Sequence, residues 1–406
     1  MAILEGIQIQ NFRALRDITL GRTFEEGQIE LPKLIAVIGA NGAGKSSLLD
    51  AFGFLGDCLR DGVEAACDRA HRGGFERMRT QGTTDPIKFE IRFRQTKDAR
   101  PISYSLHIQL DRHQRPEVVY ERLRQRRRGQ KHGQPYSFLE LTNGVGEVWA
   151  GESTDKEEGT AKAPLKMTDR RVLGVATLGA INDNPRIHDF REFLAGWYLS
   201  YFVPQLARSQ PLAGSDPHLD RTGENLARYI QFIERQNPDG FQQALKRISN
   251  RIPGISGIKS DRAQDRRLYL QFTAQGFAQP FYQQDMSDGT LKMLAYLMLM
   301  EDPDNAPFIG IEEPENGLHH QLLAELALQF KEYASKPRGP QILITTHSPN
   351  LVDALTPEEV WVLQKHTDGA SRLTRAADIA SVKELYAQGL PMGSLWFSNH
   401  LNADQS

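Results

Sequence analysis

The segment Gly39-Ala40-Asn41-Gly42-Ala43-Gly44-Lys45-Ser46 constrains this chain of 406 residues more than any other part of it. It stands between a continuous apolar run, Leu34 to Ile38, and a stretch with Leu48, Phe52, Leu55 and Leu59 at helical spacing. Strand, glycine-rich turn and helix in that order make a P-loop. The glycines let backbone N–H groups curl around phosphates, and the helix N-terminus adds a partial positive charge. Lys45 is then placed for the β- and γ-phosphates and the Ser46 hydroxyl for Mg²⁺, with Asn41, Gly42, Ala43, Gly44 and Ser47 completing the cradle.

Three further motifs stand near the far end of the chain. Phe308 to Ile311 is apolar and runs into Glu312-Glu313-Pro314-Glu315. A buried strand that ends in acids places carboxylates at the C-terminal edge of a sheet, where α/β folds bind ligands. Glu312 is the candidate Mg²⁺ ligand, and Glu313 the candidate base that orients and deprotonates an attacking water. An acidic helix start looks the same in isolation; the preceding P-loop decides for the carboxylate site. Gln341 to Thr345 is a second apolar strand, ending in Thr346-His347-Ser348. His347 there is positioned for the γ-phosphate and the base. Met286-Ser287-Asp288-Gly289-Thr290 opens a buried helix from Leu291, with Ser287 as its N-cap candidate.

The remaining pattern predicts an α/β chain that leaves its parallel sheet and returns to it. Leu4 to Phe12 alternates as a strand; Ile87, Phe89, Ile91, Phe93 and Ile102, Tyr104, Leu106, Ile108 alternate as antiparallel strands that continue to about Leu141. Residues 143–170 are polar and predict a mobile loop, 181–250 are mostly helical, and 252–272 return to short strands. The expected division is an N-terminal lobe over 1–142, an insertion over 143–280 and a C-terminal lobe over 281–406. A helix from about Leu318 to Tyr333 separates the strands at 307–311 and 341–345, and Val360 to Leu363 adds another; this βαβ rhythm implies a parallel sheet. No apolar run approaches the ~20 residues of a membrane span. Cys58 and Cys67 read as reduced thiols of a cytoplasmic protein.

Taken in order, these motifs resemble the RecF/SMC-like branch of ABC ATPases, and Ile9-Gln10-Asn11-Phe12-Arg13-Ala14-Leu15 resembles the opening of that branch. The likeness is nearest to stand-alone predicted ATPases related to the OLD family, and covers roughly residues 1–60 and 220–365. It implies an ABC-type P-loop ATPase with a mixed parallel core sheet, an antiparallel β lobe and an inserted helical lobe, using ATP and Mg²⁺. It also implies a homodimer or higher oligomer, in which Ser287 and Gly289 of one subunit meet the γ-phosphate on the P-loop of the other. Asn316 would lie in the loop that links the two sites, and Arg13 would contact the nucleotide. Glu312 stands where many relatives have Asp, and Asp288 replaces the second signature glycine. The region of the expected Gln loop, Leu178 to Ile181, contains no glutamine.

Two roles stay open at this point. One is a nucleotide-gated switch for a separate effector protein in bacterial anti-phage defence; the other is a RecF-like DNA-binding ATPase of repair. The net charge of −2 leaves DNA binding to a local patch. The densest is Arg122, Arg124, Arg126, Arg127, Arg128 and Lys131, which reads either as a phosphate-binding turn or as a solvated hairpin tip. Tyr120, Tyr136 and Phe138 beside it alternate as packing residues.

Overall fold

In the computed structural model, all residues are described except 25–28, 70, 128, 131–133, 150–161, 182–183, 215, 252–254, 303, 305 and 402–406. The strands, in chain order, begin with β1 Ile3–Phe12, β2 Leu15–Gly21, β3 Leu34–Ile38, β4 Ile87–Arg94, β5 Ile102–Leu110 and β6 Pro116–Gln125. They continue with β7 Tyr136–Thr142, β8 Val145–Trp149, β9 Lys162–Lys166, β10 Trp197–Ser200, β11 Ile255–Arg262 and β12 Leu268–Ala274. The last are β13 Phe281–Tyr282, β14 Phe308–Glu312, β15 Gln341–Thr346, β16 Val360–Lys365 and β17 Ser371–Arg375.

The chain forms two compact units. The first holds Met1–Trp197 and Pro357–Lys383, and the second Tyr198–Thr356 and Glu384–His400. In the first, an eight-stranded sheet runs in the order β2-β1-β4-β5-β6-β7-β8-β9. Alternation decides its faces: Ile87, Phe89, Ile91 and Phe93 of β4 are all buried, whereas the charged residues between them are half-buried. Burying each of these side chains contributes about 1.5–3 kcal/mol. Phe93 stacks on Phe193 of the helix Pro185–Ala195, with ring centroids 4.9 Å apart, so that helix covers this face. The same unit carries β3 parallel to β16, with β17 antiparallel to β16.

The polar stretch 143–170, expected as a mobile loop, corrects to a sheet edge. β8 pairs with β7 through Thr142↔Val145, and β9 pairs with β8. Asn143 and Gly144 take positive φ (50° and 74°), the conformation of a tight hairpin turn. β8 and β9 are five residues each with few buried positions, and β9 is the sheet's edge, so they left little periodic signal. Residues 150–161 lie outside the described residues.

In the second unit β14 runs parallel to β15, in register from Phe308↔Gln341 to Glu312↔Thr345. β10 adds beside β14, a strand that the helical reading of 181–250 did not expect. The helix Asp288–Leu299 is buried from Leu291 to Leu299 all round, as an apolar run interrupted only by Lys292 demands. β11, β12 and β13 form a separate antiparallel sheet, so the strands expected over 252–272 are present. No described helix is long and apolar enough to cross a membrane, and both cysteines are free and buried.

Candidate ATPase site

The P-loop sits where strand β3 ends. Gly42 and Gly44 take φ of 82° and 106°, a region that L side chains rarely adopt, and this is what the turn needs glycine for. The first bond inside the following helix, Lys45–Asp61, runs from Leu48 N–H to the Gly44 carbonyl. The earlier N–H groups therefore point out of the helix start, as an anion site requires. Lys45 is buried, and its Nζ donates to the carbonyls of Gly39 (2.8 Å) and Ala40 (3.3 Å). From β17, Ser371 Oγ donates to the Ala43 carbonyl at 2.7 Å, and Ser371 N–H to the Ala14 carbonyl. Ser371 thus braces the loop from behind; nothing local in its sequence marks it.

Arg13, expected at the nucleotide, is held by Asp50 of the P-loop helix, with Nη2 3.0 Å from Oδ2. Its backbone is left-handed (φ 52°), its N–H bonds the Met78 carbonyl, and its own carbonyl accepts from Thr80 Oγ1. Asp50 also accepts from Arg72 Nε at 2.9 Å and lies 3.2 Å from His71 Nε2. Arg72 continues to Asp57 at 2.8 Å. Asp50, Asp57 and Arg72 are all buried, so these ions persist only because they satisfy one another. A carboxylate among Leu48, Leu49 and Ala51 was the sequence signal for this network; its partner could not be read. Arg72→Met removes the buried partner of both carboxylates and leaves them the more exposed Arg13, His71, Arg60 and Arg69, and is expected to cost about 1–3 kcal/mol. Urea unfolding checks it, and an unchanged midpoint refutes it.

In the second unit β14 and β15 deliver the acids and the histidine side by side. Glu313 N–H donates to the Thr345 carbonyl at 2.9 Å, and Glu313 takes φ 40°. A non-glycine residue in that region costs about 1–3 kcal/mol, a cost characteristic of functional sites. Asn316 Nδ2 donates to Glu313 Oε2 at 3.0 Å. His347 Nδ1 is 3.4 Å from Glu313 Oε1, and 3.1 Å from Glu315 Oε1. Glu315, absent from the expected site, is buried and also accepts from His347 N–H (2.7 Å) and Thr346 Oγ1 (2.8 Å). Glu313, Asn316 and His347 therefore stand together, with Glu315 fixing the histidine. The Glu312 side chain, at the end of β14, has no hydrogen-bond or ion-pair partner among the described residues, while its backbone stands in register with Thr345.

Ser287 caps the helix Asp288–Leu299, its side chain accepting from Thr290 N–H at 3.2 Å. Such a cap is worth about 1 kcal/mol. Gly289 packs against the turn after the acids, where an added Cβ would lie 2.7 Å from the Gly317 carbonyl oxygen. Asp288, in the place of the second signature glycine, accepts from Arg208 Nη2 at 2.6 Å; the same group donates to the Met286 carbonyl.

Two of the six basic residues lie outside the turn between β6 and β7. Arg122 and Arg124 lie in β6, not in a turn. Arg122 donates to Ser137 Oγ at 2.6 Å, and Arg124 is buried, 3.5 Å from Glu90 and 3.8 Å over the Phe24 ring. Arg126 also lies over Phe24, and Arg127 over Tyr136. Arg128 and Lys131 lie outside the described residues. Phe138 is buried, while Tyr136 packs on Trp149 and Tyr120 on His107, as packing residues do.

Residues 34–353 match the family described as "AAA domain, putative AbiEii toxin, Type IV TA system". No curated protein matches the sequence. Among solved structures the chain is similar to the Smc head bound to the C-winged-helix domain of ScpA. That likeness has 15% identity and a TM-score of 0.50, covering 92% of this chain and 97% of that one. It is also similar to the Pyrococcus furiosus Smc head domain with an extended coiled coil, bound to the C-terminal domain of ScpA. Here identity is 13% and the TM-score 0.51, covering 95% and 100%. With its motifs in these positions, the chain belongs to this AAA domain family and has the fold of an ABC-class, Smc-head-like ATPase.

Proposed function

We propose that this chain hydrolyses ATP as a nucleotide-gated homodimer whose state controls a separate effector protein. The observation that carries the reading is Glu313, held in a left-handed turn with Asn316 on one carboxylate oxygen and His347 beside the other. In that reading Lys45 neutralises the phosphates, Glu313 accepts the proton of the attacking water, and His347 contacts the γ-phosphate. Mg²⁺, when bound, neutralises phosphate charge. The Ser46 hydroxyl and the Glu312 carboxylate, neither side chain with a hydrogen-bond or ion-pair partner among the described residues, supply the hard oxygen donors that it prefers. Ser287 and Gly289 supply the contact in trans, with Asn316 in the loop between the two sites, and a cytoplasmic location follows from the substrate.

The effector role draws support from the toxin–antitoxin wording of the family description. If Ser287 acts in trans, ATP with Glu313→Gln is expected to trap a dimer that the added Ser287→Arg abolishes. Light scattering with and without ATP reads the mass; a trapped dimer that tolerates Ser287→Arg removes the composite site. The DNA-clamp reading loses its strongest support with Arg122 and Arg124 engaged inside the β sheet. Duplex affinity at low salt is therefore expected to be the same for wild type and for Arg126→Glu with Arg127→Glu. A marked fall in fluorescence anisotropy binding with that reversal would restore the clamp.

A further inference from the structure

The start of the helix Asp288–Leu299 and the turn 313–317 are joined by a buried cation. Lys292 lies on that helix, is 4% exposed, and donates through Nζ to two main-chain carbonyls, of Asn316 at 2.9 Å and of Glu313 at 3.3 Å. Those are the residues that carry the base and its amide partner. Glu313 is therefore gripped at both ends of its backbone, by Thr345 through its N–H and by Lys292 through its carbonyl. Gly289 also approaches the turn so closely that an added Cβ would lie 2.7 Å from the Gly317 carbonyl oxygen.

An aliphatic side chain with a buried ammonium is a costly way to fill a core position. Burial lowers the pKa of Lys292, and the nearby charges of Glu315, Glu313 and Asp288 oppose that shift. Packing of an otherwise apolar helix does not need a cation at this place. Two carbonyls converging on one ammonium suit it, because that group donates to both and carries no acceptor atom that would be left facing them.

We infer that Lys292 is a positioning residue that couples the Ser287–Gly289 segment to the catalytic turn of its own subunit. This rests on the proposed composite dimer. In it, Ser287 reads the γ-phosphate bound by the partner subunit, while Glu313 serves the nucleotide on its own P-loop. Movement of the helix start on closure is carried through Lys292 to the Glu313 and Asn316 carbonyls. Occupancy of one site thereby sets the base of the other.

The test uses the full chain and ATP with Mg²⁺, comparing Lys292→Met and Lys292→Gln with wild type; Gln keeps amide donors on a shorter, uncharged side chain. Nucleotide affinity is measured separately with a fluorescent ATP analogue. Misplacing a base by about 1 Å can cost about a hundredfold, so kcat is expected to fall by that order in Lys292→Met. Lys292→Gln is expected to fall less, with unchanged nucleotide affinity in both and a Hill coefficient for ATP reduced to one. Wild-type kcat and Hill coefficient in either variant overturn the coupling. So does a loss of kcat matched by an equal loss of affinity, which marks general damage. If Lys292→Met does not fold, the Gln variant decides by the same readings. Glu313→Gln run alongside separates the two ideas. Full turnover in Glu313→Gln sinks the ATPase assignment itself, whereas abolished turnover there with normal turnover in the Lys292 variants sinks only the coupling.

Discussion

Glu313→Gln is expected to bind ATP like wild type and to release phosphate about 10²–10⁴-fold more slowly, the range that general acid–base catalysis contributes. The amide fits the space of the carboxylate and preserves a hydrogen-bonding position for Asn316 Nδ2, 3.0 Å away. It retains the backbone turn as well, because φ 40° is held by the main-chain bond from Glu313 N–H to the Thr345 carbonyl. Only the capacity to take a proton disappears. Steady-state phosphate release and titration with a fluorescent ATP analogue make the comparison, and release at the wild-type rate would show that another group is the base. Glu315 is the control. Glu315→Gln keeps the acceptor oxygen for His347 N–H and Thr346 Oγ1, and is expected to be milder than Glu313→Gln.

Lys45→Ala is expected to lower ATP affinity by about two to three powers of ten, the loss of about 3–4 kcal/mol in charge-assisted hydrogen bonds. The ammonium lies on the Gly39 and Ala40 carbonyls, so it is already at the mouth of the loop. Its removal takes away a cation and leaves two carbonyls without that donor. The loop itself should hold, since Ser371 bonds the Ala43 carbonyl independently. Isothermal titration with ATP reads the affinity, and thermal unfolding without nucleotide checks that the fold persists. An unaltered affinity would remove Lys45 from the phosphate site.

These outcomes rest on motifs that were legible as short runs of residues. The P-loop needs only consecutive glycines, a lysine and a helix start. Ser287 was readable as an N-cap because the cap bonds its own Thr290. The acids at the end of β14 and the histidine after β15 were readable because a buried apolar strand has a defined end. The polar stretch 143–170 and the short strand β10 were not, since strands of four or five residues carry too little alternation to read. The placement of Arg122 and Arg124 inside a strand was not legible either. Charge density along the chain says nothing about which side chains a strand turns inward, and β6 buries Arg124 beside Glu90.

By itself, the sequence determined which chemical groups the site owns and which local turns present them, because caps, glycine turns and strand ends are decided by neighbouring residues. Tertiary structure alone decided how those groups are held. Lys292 meets carbonyls 21 and 24 residues away, Glu315 meets His347 across 32 residues, and Arg72 meets Asp50 across 22. Such partners are chosen by strand register, helix rotation and the need of every buried charge for a counterpart. None of these is set by spacing along the chain.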